Sequence, residues 1–262
     1  MTEGLDKLAG AIGDTLKTAP TLYEDALQPT VQEVGKFAAR IPRAINAAFS
    51  GLDKWILNKE YAIDETKKLL EKKLENIDPD KIVEPEAYVA VPAIQAISYS
   101  MNSEELRNLY ANLLAKAMNS DTKDMVHPSF VEIIKQISPI DSLVFKTIME
   151  RGGNPLISLI YENEEKDNLT INMNITDINI ASIESINISI DNLIKQSLIT
   201  IPSGRYYIEE NLYDQLLSSN QYKIAQQKFS SPPNGFKLTY KKGLIEKTSL
   251  GNAFYDTCVN NR

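Results

Sequence analysis

The side chains best equipped for chemistry are few in this chain. His127 is the sole histidine and Cys258 the sole cysteine, so no histidine-based metal cluster can form. His127 precedes Pro128 at a predicted helix start, where a turn or cap role outweighs proton transfer. Cys258 falls on an apolar helical face and reads as core. The run ENEEKD at 162–167 lacks the histidine or fixed turn that would organise its carboxylates round a cation, so it reads as a solvated connector. No GxxxxGK[ST], strand-borne GxGxxG or GxSxG occurs. The expectation is a non-enzymatic protein with no catalytic residue, cofactor or metal.

A second kind of chemistry, attraction to a charged surface, has a clearer signal. In VGKFAARIPRAINAAFSGLDKWIL, Val34, Phe37, Ile41, Ile45, Phe49, Leu52 and Ile56 share one helical face, with Lys36, Arg40, Arg43 and Lys54 on the other. Residues 34–52 hold three basic residues and no acidic one. A basic face backed by aromatics suits a helix lying in a membrane interface. The candidate membrane or partner face is Phe37, Arg40, Ile41, Arg43, Ile45, Phe49 and Trp55. The commoner fate of such a helix is to pack on a core, and Pro42 should kink or split it. A conditional arrangement joins the two readings: the arm packs at rest and is released on activation.

The remainder of the arm, residues 1–80, begins with a loose amphipathic segment through Leu5, Leu8, Ile12 and Leu16, weakened by Gly4, Gly10 and Gly13. A charged helix follows over 60–77, with Ile63, Thr66, Leu70, Leu74 and Ile77 in a narrow stripe and Asp64 placed to pair with Lys68. Packing within the protein is expected for that stripe, with self-association to a homo-oligomer as the competing use. Asp78, Pro79 and Asp80 end the helix; KIVEPE is a linker. Residues 87–99 are an apolar helix containing Pro92, a candidate for its true start.

Residues 102–149 organise the chain. Leu106, Leu109, Tyr110, Leu113, Leu114 and Ala117 recur at helical spacing, with Asn102 as the expected cap and Glu105 answering it. A second helix from Pro128 turns Phe130, Val131, Ile134 and Ile137 inward. A third, after the break at Ser138 and Pro139, buries Leu143, Val144, Ile148 and Met149. Arg107 and Asn112 are candidates for a buried polar network.

LRNLYANLLAKAM followed by HPSFVEIIKQISPIDSLVFKTI, led in by VPAIQAISYSMNSEEL, resembles the Abi-alpha (abortive infection alpha) family of bacteria. The likeness is strongest over residues 85–149. It implies anti-phage defence by abortive infection and brings no active-site residues with it.

Beyond Met149 the texture changes. Arg151, Gly152, Gly153, Asn154 and Pro155 form a break taken as a domain boundary. Residues 171–175 alternate as a strand, LIKQSLITI runs from helix to strand, and Arg205, Tyr206, Tyr207 and Ile208 return as its hairpin partner after a turn at Pro202, Ser203 and Gly204. GLIEKTSLGNAFYDTCV reads as strand, turn and terminal helix, burying Leu250, Phe254 and Cys258. The expected fold is mainly α: an amphipathic arm (1–80), a central helical bundle (81–150) and a small α+β winged-helix-like domain (151–262).

A winged helix invites DNA binding, with Lys195, Arg205, Lys241 and Lys242 as contacts. One cation on the reading helix is few for phosphate neutralisation, and a net charge of −7 opposes a general nucleic-acid binder. Defence through a phage component, a protein partner or peripheral membrane contact is the leading expectation; a DNA-binding regulator is the alternative. One cysteine, an acidic start without an apolar leader segment, and no apolar run of spanning length predict a cytoplasmic protein, membrane-associated on activation. If the arm engages membrane, Phe37→Asp should abolish retention on anionic liposomes while leaving the central bundle folded. Absence of liposome binding by the unaltered protein in any state removes that use of the arm.

Overall fold

A computed structural model describes residues 60–100 and 102–260, with residues 42, 43, 45 and 46. The chain is mainly α with a small α+β part. Within residues 60–260 the α-helices are α1 (Glu60–Leu74), α2 (Ala87–Tyr99), α3 (Glu104–Ala117), α4 (Ser129–Gln136), α5 (Pro139–Glu150), α6 (Ile183–Lys195), α7 (Glu210–Ser218), α8 (Asn220–Lys228) and α9 (Ser249–Phe254). The strands are β1 (Pro155–Glu162), β2 (Asn168–Thr176), β3 (Ile199–Thr200), β4 (Lys237–Leu244) and β5 (Glu246–Lys247). Two compact units form, one from Met1–Ser98 with Leu114–Asp124, the other from Tyr99–Leu113 with Met125–Arg262.

In the first unit, α1 buries Thr66, Leu70 and Leu74, the expected narrow stripe. Lys68 pairs with Glu65, the residue after the anticipated Asp64, at 3.0 Å. Helix α2 starts at Ala87 and carries Pro92 inside it, burying Val89, Ala93, Ile94 and Ile97. The linker before it is tied down: Ile82 bridges Asn119, the Val83 N–H donates to Met118 O at 2.9 Å, and Lys81 meets Asp121 at 2.6 Å.

The second unit has an aromatic core. Phe254 meets Phe130 edge-on at 5.5 Å between centroids and Phe145 at 5.6 Å, the geometry favoured by ring quadrupoles. Ser103, rather than Asn102, receives the Leu106 N–H of α3 at 3.2 Å. Helix α5 opens with a complete capping box: Ser138 Oγ accepts the Asp141 N–H, and the Asp141 carboxylate accepts the Ser138 N–H. That carboxylate also accepts Asn192 Nδ2 at 2.9 Å, joining α5 to α6. Leu143, expected inside, is 41% exposed; Phe145 takes the buried place. Arg151, Gly152 and Gly153, the expected boundary, lie within this unit, and α5 and α6 pack together from either side of them.

The three-stranded antiparallel sheet has order β2-β1-β4. Its central strand β1 is buried along most of its length, so it lacks the alternation that marks a half-exposed strand. Ile157, Leu159, Met173 and Ile175 pack with Tyr213, Leu216 and Ala225 of α7 and α8. The edge strand β2 carries a register irregularity and is capped by Asn187. That carboxamide donates to Asn174 O at 2.9 Å and accepts the Asn174 N–H at 2.8 Å, as a neighbouring strand would. Such devices blunt an edge against stray pairing.

The predicted hairpin does not form. β3 pairs with β5 through Ile199 with Lys247 and Thr200 with Glu246, while residues 205–208 form no strand. At the end of α6, Ser197 adopts the left-handed conformation (φ 58°). The Leu198 N–H reaches Leu193 O and the Ser197 N–H reaches Ile194 O, the pair of bonds of a Schellman stop. Leu198 O then faces α9 so closely that a Cβ on Gly251 would stand 2.0 Å from it. Gly251→Ala should cost about 3 kcal/mol or more through forced displacement of α9. Urea unfolding of the variant checks this; an unchanged midpoint contradicts the close approach.

Candidate functional site

The family-like motif builds one buried polar contact. Helix α3 turns Tyr110 and Asn112 into the second unit, where both are buried. Asn112 Nδ2 donates to the Cys258 carbonyl at 2.7 Å. That carbonyl belongs to the π-helical turn Tyr255–Val259 that follows α9. In such a turn the i→i+5 spacing leaves the last carbonyls without helical donors, and Asn112 supplies one. Burial raises the Tyr110 phenol well above its ordinary range, with the Glu132 charge adding to it; burial alone raises the Cys258 thiol. Both groups stay neutral at physiological pH, fitting a packing role. Arg107 is half-buried and makes no side-chain hydrogen bond to Asn112, so the expected two-residue network is one residue and a backbone carbonyl.

His127 fills its expected turn role: Nδ1 lies 2.6 Å from Ser129 Oγ and accepts the Ser129 N–H at 3.2 Å. In the arm, Arg43 is exposed and Ile45 is buried at 2% exposure. Phe37, Arg40, Ile41, Phe49 and Trp55 lie outside the described residues.

The four candidate DNA contacts do not form one free cationic surface. Arg205 meets Glu246 at 2.7 Å. Lys241 donates to Asn168 Oδ1 at 3.0 Å. Lys242 pairs with Glu210 and stands over the Tyr213 ring at 5.2 Å; the Glu210 hydrogen bond raises its pKa. Lys241 and Lys242 are also successive residues of β4 and project to opposite faces. Lys195 is exposed in the last turn of α6.

What replaces the expected hairpin strand is an ordered loop over 201–209. Tyr207 turns inward: its N–H donates to Tyr213 Oη at 2.8 Å, and its own Oη accepts the Asn154 N–H at 3.2 Å. Tyr213 Oη donates onward to Gly243 O at 2.9 Å. Tyr206 and Ile208, on either side of Tyr207, are 56% and 88% exposed. Sequence reading missed this surface because RYYI has the aromatic and β-branched content of a strand.

A family model described as Abortive infection alpha matches residues 58–258, from the start of α1 through the Asn112-bound turn. The chain belongs to the Abortive infection alpha family. The match extends well past the 85–149 stretch that carries the sequence likeness, taking in the sheet and α6 to α9. At the family level this name indicates abortive infection, a form of defence. No curated protein matches the chain. Among solved structures, an uncharacterized protein from the hydrocarbon-degrading marine bacterium Alcanivorax borkumensis SK2 aligns at 11% identity and a TM-score of 0.36, covering 54% of this chain and 96% of that one. So distant a likeness carries no argument about this member of the Abortive infection alpha family.

Asn112→Ala should strand the buried Cys258 carbonyl and cost about 1–3 kcal/mol. Amide exchange should accelerate first in residues 255–259. Uniform loss of protection across the second unit would instead make Asn112 part of its general core.

Proposed function

We propose that this protein defends its bacterial host against phage by abortive infection, acting through binding of a phage component or the membrane rather than through catalysis. The observation that carries the reading is the family match over residues 58–258. The residue inventory supports binding: one histidine and one cysteine, both used in local structure or packing. Burial of Ile45 beside exposed Arg43 supports a resting state in which the arm's apolar face is covered at that point. None of the described helices is long and apolar enough to cross a membrane; membrane engagement on this reading is peripheral and conditional, through the arm. We place the protein in the cytoplasm at rest. DNA binding is the weaker reading, because Arg205, Lys241 and Lys242 already have intramolecular partners.

The test is a phage challenge of a strain expressing the full chain, scoring plaques and host survival together. Lost plaques with dying cells at high phage dose is the expected outcome. Lost plaques with surviving cells would keep defence and reject host suicide; unchanged plaquing across a broad phage panel would count against the reading.

A further inference from the structure

The loop over 201–209 presents apolar side chains in a way that ordinary surface hydrophobics do not. Single exposed aliphatics are common on protein surfaces and need no explanation. Here an exposed tyrosine and an exposed isoleucine flank a residue locked from both ends. Tyr207 is held by Tyr213 Oη at its N–H and by the Asn154 N–H at its phenol. Arg205, just before the pair, is tied to Glu246, and Gly204 makes the entering turn at a φ of 72°. Tyr206 and Ile208 are therefore fixed outward, at 56% and 88% exposure. Preorganised side chains lose little entropy on docking, and tyrosine is among the residues enriched at interface hot spots.

The charges beside the pair select the kind of partner. Glu209 and Asp214 follow Ile208 and are exposed, while the nearby cations Arg205 and Lys242 are paired with Glu246 and Glu210. The rim of the apolar pair is acidic, which opposes an anionic lipid surface and suits a basic protein surface. We propose that this loop is a docking element for a partner protein whose apolar pocket receives Tyr206 and Ile208 and whose rim carries lysine or arginine. The proposal rests on the binding reading above and names the surface and the partner's chemistry.

The experiment uses the full chain in two arms. In the first, the phage challenge is run with the unaltered protein, Ile208→Asp, Glu209→Lys and, as control, Ile224→Asp, whose side chain is 45% exposed on α8. Thermal unfolding of each purified variant confirms the fold. Protection should fall at least tenfold for Ile208→Asp and Glu209→Lys and persist for Ile224→Asp. Retained protection by folded Ile208→Asp overturns the docking inference and leaves the defence reading standing.

In the second arm, a photo-crosslinking residue is placed at position 208, or at 224 as control, in infected and uninfected cells. Support requires a protein adduct specific to 208, identified and purified, whose affinity for the chain falls at least tenfold with Ile208→Asp and with Glu209→Lys. No adduct above the 224 control, a lipid adduct, or an adduct of the chain with itself overturns the inference. If the unaltered protein gives no protection, the defence reading fails, and this second arm decides the docking element by itself.

Discussion

The close approach of Gly251 to the Leu198 carbonyl is the constraint on which the second unit depends. A side chain at 251 would overlap that oxygen, so α9 can reach its place only with glycine there. Its N-terminal cap, Thr248, accepts the Gly251 N–H at 2.8 Å and donates to Ser197 O at 2.7 Å. The cap thus fixes the helix start to the same left-handed stop that ends α6. Once α9 is so placed, Phe254 stands between Phe130 and Phe145, and the following turn brings the Cys258 carbonyl to Asn112. Residues far apart in the chain become one core because two backbones meet without an intervening Cβ.

Buried polar side chains act in this fold where regular hydrogen bonding is interrupted. Asn112 serves a π-turn carbonyl, Asn187 substitutes for a strand beside β2, and Asp141 combines a helix cap with a bond to α6. Each is nearly excluded from water, where an unsatisfied amide or carboxylate would be costly. Their geometry is consequently more restrictive than that of the apolar neighbours, which can exchange contacts at small cost. Lys247 plays a related part outside the core: its ammonium donates to Met149 O and Arg151 O at the end of α5, where carbonyls lack helical donors and a cation is favoured.

The family name indicates abortive infection at the family level and carries no mechanism. The molecular surface makes a division between charge and apolarity. Two of the four cations that sequence reading had offered to a nucleic acid, Arg205 and Lys242, are paired with acids, while Tyr206 and Ile208 stand exposed beside Glu209 in the 201–209 loop.

Sequence alone determined the helical stretches with strong 3.6-residue periodicity: the stripe of α1, the inward faces of α3 and α4, and the terminal helix with Phe254 and Cys258 inside. It also carried the family likeness, because that pattern resides in consecutive residues. Local signals placed the breaks at Asp78 to Asp80 and at Ser138, where cap and proline chemistry act over a few bonds. Tertiary structure decided the rest. It buried β1 so extensively that alternation vanished, turned Leu143 out and Phe145 in, and paired β3 with β5 across more than forty intervening residues. It made RYYI an exposed loop because Tyr207 found Tyr213 and Asn154 instead of a strand partner. It also neutralised Arg205 and Lys242 with acids distant in the chain. Periodicity and capping are properties of neighbouring residues, whereas ladder partners, buried polar contacts and charge neutralisation depend on which distant groups the fold brings together.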